Sequence, residues 1–501
     1  MNDHTLDVFP RASTGIEGLD YILGGGFPRN RMYLVKGDPG AGKTTLAMQF
    51  LLAGARAGEP GVYATLSETE EELRDVARSH GWPLDGITIC DLQASEESLK
   101  ADSQYTLFHP SEVELSDTTR TVLDAVERVN PRRVVFDSLS EMRLLARDSL
   151  RYRRQILALK HYFTGRQCTV LLLDYGVQTG DFQLESLAHG VMELEQVERS
   201  YGAQRRRLVL HKIRGIPYKG GFHDYVIRTG GIAVYPRLVA SAHPGAFHSK
   251  TVPSGVAGLD DLLGGGADRG SSLMLLGPAG VGKSTTCAQY AAEAARRGER
   301  SVIYNFDEAT ETWASRADSL GMGLGPYIES GLVSVRQVNP ADLTPGELAG
   351  QLHDAVEAGV SLVMIDSLNG YLSAMAEERH LILHMHELLT YLGQHGVLTI
   401  MVMAQHGLLG ESLAAPVEFS YLADTVILLR FFEAFGEVRQ AISTVKRRGG
   451  AHERSVRELQ IGPVGVQVGR QLREFNGILS GRLDYIGGSG PLLGADGQAA
   501  R

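Results

Sequence analysis

The chain has few cysteines: Cys90, Cys168 and Cys287 are the only three in 501 residues, far apart and without CxxC spacing. That excludes a disulfide framework and a zinc-finger type of site, and it fits a reducing cytosol. Basic charge is also short. Lys and Arg number 49 against 59 Asp and Glu, a formal net charge of −10. A protein that grips nucleic acid over a long surface carries the opposite balance, so no nucleic-acid partner is expected, although a local basic channel stays open. Long apolar runs are missing as well. TIMVMA at 399–404 is far shorter than a membrane span, and the first residues, MNDHTLDVFPRASTG, contain no apolar stretch. The expectation is a cytoplasmic protein with no membrane partner. With 43% hydrophobic and 22% charged residues, the composition is that of a globular chain long enough for two domains.

What is present is a repeated string. GDPGAGKTT at 37–45 recurs as GPAGVGKST at 277–285. Both fit Gly, four residues, Gly, Lys, then Ser or Thr. In this loop type, glycines let consecutive backbone N–H groups curl around phosphate. The lysine reaches the β- and γ-oxygens, the hydroxyl ligates Mg²⁺, and the next helix adds its positive dipole end. The expected ATP contacts are therefore Gly37, Asp38, Gly40, Ala41, Gly42, Lys43, Thr44 and Thr45 in the first copy. In the second they are Gly277, Gly280, Val281, Gly282, Lys283, Ser284 and Thr285.

The repeat extends beyond the loops. STGIEGLDYILGGG precedes the first and PSGVAGLDDLLGGG the second, and Gly15/Gly255, Lys43/Lys283 and Glu68/Glu308 all lie 240 positions apart. By Asp137 and Asp366 the offset is 229, which places an extra excursion in the first half, within ASEESLKADSQYTLFHP. Short apolar runs alternate with helical patterns in each half. This predicts an α/β fold of two tandem RecA-like P-loop domains, each a mostly parallel twisted sheet with helices on both faces. The expected boundaries are a first domain over 1–240, a linker over 241–253, a second domain over 254–486 and a Gly-rich tail over 487–501. The triplets at 24–26 and 264–266 are expected to form turns.

Further residues complete the sites. Asp137 ends the run VVFD and Asp366 the run VMID, where an acid holds Mg²⁺ alongside Thr44 or Ser284; the alternative is a helix cap. Glu68 follows VYATLS, and Asp307 with Glu308 follows SVIYNF, at the strand end where a carboxylate orients water or takes a hydroxyl proton; otherwise they are surface acids. HKIRG (Lys212, Arg214) and VKRRGG (Lys446, Arg448) come late in each half and could reach the γ-phosphate bound by a neighbouring subunit, or form a solvated pair. The run Arg205, Arg206, Arg207 is read as interface or solvent-facing. His384 and His386 project to different faces of a helix, which argues against a shared metal.

This combination, in duplicate and covering about residues 12–480, resembles the KaiC family of circadian clock ATPases and autokinases. The resemblance implies a hexamer of two stacked rings with ATP between protomers. Its N-terminal ring would hydrolyse ATP slowly, and its C-terminal ring would phosphorylate itself. The family's paired glutamates fall on Ser67 and Glu68, and on Asp307 and Glu308, so the first pair keeps one carboxylate, and Asp307 takes the position of the kinase's base. The family's phosphoacceptors fall on Ser420 and Tyr421 in EFSYLADTVILLR. The resemblance also raises a KaiB-like partner on the first ring, while the short Gly-rich tail argues against a KaiA-type activator. A RecA- or DnaB-like motor on DNA and a nucleotide-gated scaffold with little turnover are the competing readings.

Overall fold

The computed structural model describes residues 9–92, 110–146, 148–175, 182–198, 202–239, 250–339, 341–374, 381–405, 421–479 and 484–486. It divides into two compact units, Met1–Arg237 and Leu238–Arg501. The division falls before residue 240 because the Leu238 side chain is buried in a core of the second unit. Most of the expected linker, the Gly-rich tail and nearly all of the expected excursion lie outside the described residues. The last part of the linker corrects the expectation: Thr251–Val252 is a strand paired antiparallel with Ala267–Asp268. Its counterpart in the first unit is Arg11–Ala12 on Phe27–Pro28. Val252 is buried at this place, so the segment belongs to the second unit.

Each unit is built on a nine-stranded sheet. In the first, the order is Gly231–Tyr235, Phe222–Arg228, Arg205–Ile213, Gly190–Val197, Met32–Gly37, Thr169–Asp174, Arg133–Asp137, Gly61–Thr65 and Ile87–Asp91. The last six run parallel, and the first three continue antiparallel from Gly190–Val197. The second sheet repeats this order from Val333–Gln337 through the P-loop strand Ser272–Gly277 to the antiparallel strands Glu437–Arg447, Arg457–Gly462 and Gly465–Gln471.

The central strands are largely apolar because helices cover both faces. Alternate residues go to opposite cores: Tyr33 and Val35 to one, Met32 and Leu34 to the other. Leu273 and Leu275, and Met274 and Leu276, divide in the same way.

The repeated GLD preamble also has a physical role. Its aspartate holds the chain entering the unit: the Thr14 N–H donates to Asp20 Oδ1 at 2.7 Å, and the Ser254 N–H to Asp260 Oδ1 at 2.8 Å. Gly24 then ends the first helix, Glu17–Leu23, in the left-handed conformation and starts the turn into the sheet.

Candidate functional site

Each P-loop connects the end of a central strand to a long helix, Met32–Gly37 to Lys43–Arg56 and Ser272–Gly277 to Lys283–Arg296. Gly42 and Gly282 stand at the helix starts with φ of 94° and 104°, where L side chains are strained. A Cβ on Gly42 would also come 2.7 Å from Ile227 Cδ1, and one on Gly282 would overlap Ile461 Cδ1. Only glycine lets the loop close under the antiparallel strands.

The lysines fold back over their loops. Lys43 Nζ donates to the carbonyls of Gly37 at 2.6 Å and Asp38 at 3.1 Å, and Lys283 Nζ to those of Gly277 at 2.9 Å and Pro278 at 2.6 Å. Burial holds both lysines below their ordinary pKa, opposed mainly by Asp137 at Lys43 and by Asp366 at Lys283.

The acids stand at strand ends one strand removed from the P-loop strand: Thr169–Asp174 lies between in the first sheet and Leu398–Ala404 in the second. Asp137 and Asp366 are both 5% exposed, and burial raises both carboxyls. The Tyr63 hydroxyl donates to Asp137 Oδ2 at 2.6 Å, and this bond, with Lys43 and the Thr44 and Ser67 hydroxyls nearby, opposes the rise. The Ser284 hydroxyl opposes it at Asp366. The peptide bonds Asp137–Ser138 and Asp366–Ser367 are cis.

Glu68 and Glu308 are held by equivalent turns. In the first unit, Thr65 Oγ1 donates to the Glu68 carbonyl at 2.7 Å and accepts from its N–H at 3.0 Å. In the second, Asn305 Nδ2 donates to the Glu308 carbonyl at 2.9 Å, and Asn305 Oδ1 accepts from the Asp307 and Glu308 N–H groups at 3.3 and 3.4 Å. The side chains then part. Glu68 Oε2 is buried without a hydrogen-bond partner, and burial, with Asp137 and Glu72 nearby, raises the carboxyl. Glu308 instead forms an ion pair with Arg316 Nη2 at 2.6 Å.

The late basic pairs stand away from the P-loops of their own units. Arg448 N–H donates to the Asp424 carbonyl and Asp424 N–H to that of Ser272, level with the start of the P-loop strand. Gly277 is five residues further along, about 16 Å at strand rise. Arg214, through His189 and Met32, occupies the same level in the first unit. Lys446 Nζ donates to the Ala423 carbonyl at 2.7 Å and Arg448 Nη2 to that of Tyr421 at 2.8 Å. Arg214 Nη2 donates to Ser186 O at 3.0 Å, and Lys212 Nζ bonds Glu185 O. Tyr421 is exposed and, with Asp424, Arg448 and His386, lines a cavity of about 470 Å³. Ser420 lies outside the described residues.

One expectation needs adjusting. Arg205 is not solvent-facing: it is 8% exposed and pairs with Asp224 at 3.1 Å, while Arg207 pairs with Glu195 at 3.2 Å. Their neighbours on the antiparallel strands supply the acids, a pairing that local sequence does not display. Arg316 was not singled out in the sequence; its signal was positional, since Val76 stands at the same place in the first copy. His384 Nδ1 hydrogen-bonds the Tyr371 hydroxyl at 3.1 Å, and His386 is exposed.

A glycine-bent loop closing on a lysine, a following helix and an acid at the end of the next strand but one define a P-loop ATPase site, here twice. A family model described as "ATPase: KaiC" matches residues 12–239 and 252–473. The chain belongs to the KaiC family of ATPases. It is 26% identical over 500 residues to the circadian clock protein KaiC3 of Synechocystis sp., covering 97% of each chain. It is 26% identical over 497 residues to the circadian clock oscillator protein KaiC of Synechococcus elongatus, covering 96% of this chain and 93% of that one. The oscillator protein KaiC of Picosynechococcus sp. is 27% identical over 494 residues. Among the described residues, no helix is long and apolar enough to cross a membrane.

Proposed function

We propose that the chain is a cytoplasmic, ATP-hydrolysing and self-phosphorylating protein that works as a double-ring homohexamer in signalling or circadian-type timing. Each ATP is held by the P-loop of one protomer and met by the basic pair of the next. The observation that carries this reading is the placement of Lys212 and Arg214, and of Lys446 and Arg448, at the strand-start end of each sheet. No lysine or arginine side chain covers about 16 Å, so these cations serve a nucleotide other than their own.

The residues fit ATP with Mg²⁺. Lys43 and Lys283, turned onto loop carbonyls, have β- and γ-phosphate oxygens as better partners. Thr44 with Asp137, and Ser284 with Asp366, would hold Mg²⁺ as hydroxyl and carboxylate. Bound there, Mg²⁺ neutralises charge developing on the phosphates. Gly37 to Thr45 and Gly277 to Thr285 present the loop N–H groups.

Glu68 accepts a proton from the attacking water: the water oxygen bonds the γ-phosphorus, the bond to the β-bridging oxygen breaks, and its electron pair leaves on ADP. The raised pKa of Glu68 makes it a better base than an exposed glutamate. In the second unit the attacking oxygen is a hydroxyl of Ser420 or Tyr421 of the neighbouring protomer, with Asp307 taking its proton. Tyr421 lies at the same end of the sheet as Arg448, so its phosphate also comes from another protomer's ATP. A KaiB-like protein is a candidate partner of the first unit.

Native mass spectrometry with and without Mg-ATP tests the assembly; a monomer under both conditions contradicts it. Mixing chains carrying Lys283→Ala with chains carrying Arg448→Ala tests the shared site. Each chain alone is expected to lack second-unit phosphorylation, and the mixture regains part of it. Phosphosite mapping that finds no phosphate at 420 or 421 under any nucleotide condition removes the kinase part.

A further inference from the structure

The two glutamates that face the nucleotide sites are cradled alike, yet among the described residues a cation pairs only with the second. Helix Glu70–Ser79 follows Glu68, and helix Thr310–Ser319 follows Glu308. Two turns into the second helix, Arg316 reaches back to Glu308 Oε1 at 2.6 Å and adds positive field at Asp366. The corresponding residue of the first helix is Val76, and Glu72, one turn in, adds negative charge near Glu68 instead. The consequence is opposite in the two units: one Glu68 oxygen is buried and unpartnered, whereas Glu308 is tied to the helix that follows it.

We infer that Arg316 is a positioning residue that draws the Glu308 carboxylate away from attacking water and so lowers hydrolysis at the second unit, leaving Asp307 to serve phosphate transfer. This rests on the reading of the second unit as an ATP site. In the step suppressed, water oxygen bonds the γ-phosphorus, the γ-phosphorus to bridging-oxygen bond breaks, the electron pair leaves on ADP, and the water proton goes to Glu308. With Arg316 paired, the carboxylate accepts from the guanidinium instead. Asp307 is exposed and one residue closer to the strand end, so Arg316 leaves it available to a larger nucleophile. Side-chain exposure of 38% for Arg316 and 22% for Glu308 sets the size of the effect. An ion pair this exposed biases a conformation by about five-fold at most.

The test uses the full chain with Lys43→Ala, so that phosphate release reports the second unit. Arg316→Val, the residue of the first unit, is expected to raise kcat about three- to five-fold with little change in KM. Arg316→Lys should keep kcat near the starting value, and adding Glu308→Gln to Arg316→Val should cancel the gain. The reciprocal chain, Val76→Arg with Lys283→Ala, should lose a similar factor at the first unit, which keeps the test decisive if Arg316→Val unfolds. Unchanged or lower kcat in an Arg316→Val chain that still binds ATP, or a gain that survives Glu308→Gln, overturns the inference. A Lys43→Ala chain that neither binds nor hydrolyses ATP contradicts the ATP site itself instead.

Discussion

The two units share a strand order, a loop and a glutamate cradle, and they differ in what surrounds the acids. In the first, Asp137 accepts from Tyr63, with the Thr44 and Ser67 hydroxyls nearby, and Glu68 sits beside it with one oxygen unpartnered among the described residues. In the second, Ile303 replaces Tyr63, Asp307 replaces Ser67, and Arg316 takes Glu308. Hydroxyls steady a single acid in one unit; charges of both signs compete in the other. Duplication kept the backbone that places the groups and let the chemistry of each site drift. Ser67, which looks like a lost carboxylate in the sequence, stands near Asp137 in the fold and opposes the rise of its carboxyl.

The largest expected effect breaks what the units have in common. If the proposed shared site holds, Arg448→Ala, or Arg214→Ala in the first unit, should cost about 10³-fold in the chemistry of the facing site, with ATP still bound. Single-turnover kinetics checks it. Lys43→Ala and Lys283→Ala should each cost about 10²- to 10³-fold at their own site only, read as phosphate release for the first unit and phosphate incorporation for the second.

A difference in the cores gives the next effect. Arg133, 2% exposed, pairs with Glu59 at 2.7 Å, donates to the carbonyls of Ser13 and Phe50, and lies over the Phe50 ring, where the second unit has Leu362. Arg133→Leu should destabilise the first unit by about 3 kcal/mol in urea unfolding, since Glu59 then keeps only Arg29. Adding Gly54→Ala should recover part of this, because a Cβ there would overlap the Arg133 side chain and the second unit carries Ala294.

The smallest effect separates the units by pH. The N–H that opens each P-loop strand is capped by His189 Nδ1 at Met32, 3.2 Å, and by Asp424 Oδ2 at Ser272, 3.0 Å. Burial, with Lys160, Arg31 and Arg214 around it, lowers His189 from 6.5 to about 4. The unfolded chain binds the extra proton first. The contribution of neutral His189 is therefore complete above pH about 6.5 and is lost as pH falls towards about 4. Hydrogen-exchange protection at 32–37, taken relative to the intrinsic rate at each pH, should fall over that range, with no comparable change at 272–277, and His189→Asn should flatten it.

Much of this was legible beforehand because it is local. Loop spacing, apolar strands ending in Asp137 and Asp366, and the 240-residue register need no tertiary knowledge. The rest depended on cross-strand or helix-to-strand contact. The basic run reads locally as interface or solvent-facing, whereas Arg205 is paired with Asp224 across the sheet. Arg316 and His189 carry no motif, and only the repeat, laid on the fold, shows that Val76 and Asp424 are their counterparts. The level of Lys446 and Arg448 relative to Gly277 follows from strand register, which local pattern does not set.

The unequal use of two similar ATP sites is tested most directly by phosphate release from Glu68→Gln and Glu308→Gln full-length chains under saturating Mg-ATP. The account predicts that Glu68→Gln removes most of the turnover, while Glu308→Gln, whose carboxylate is already held by Arg316, changes it less than two-fold. Equal losses in the two chains, or a larger loss from Glu308→Gln, would contradict it.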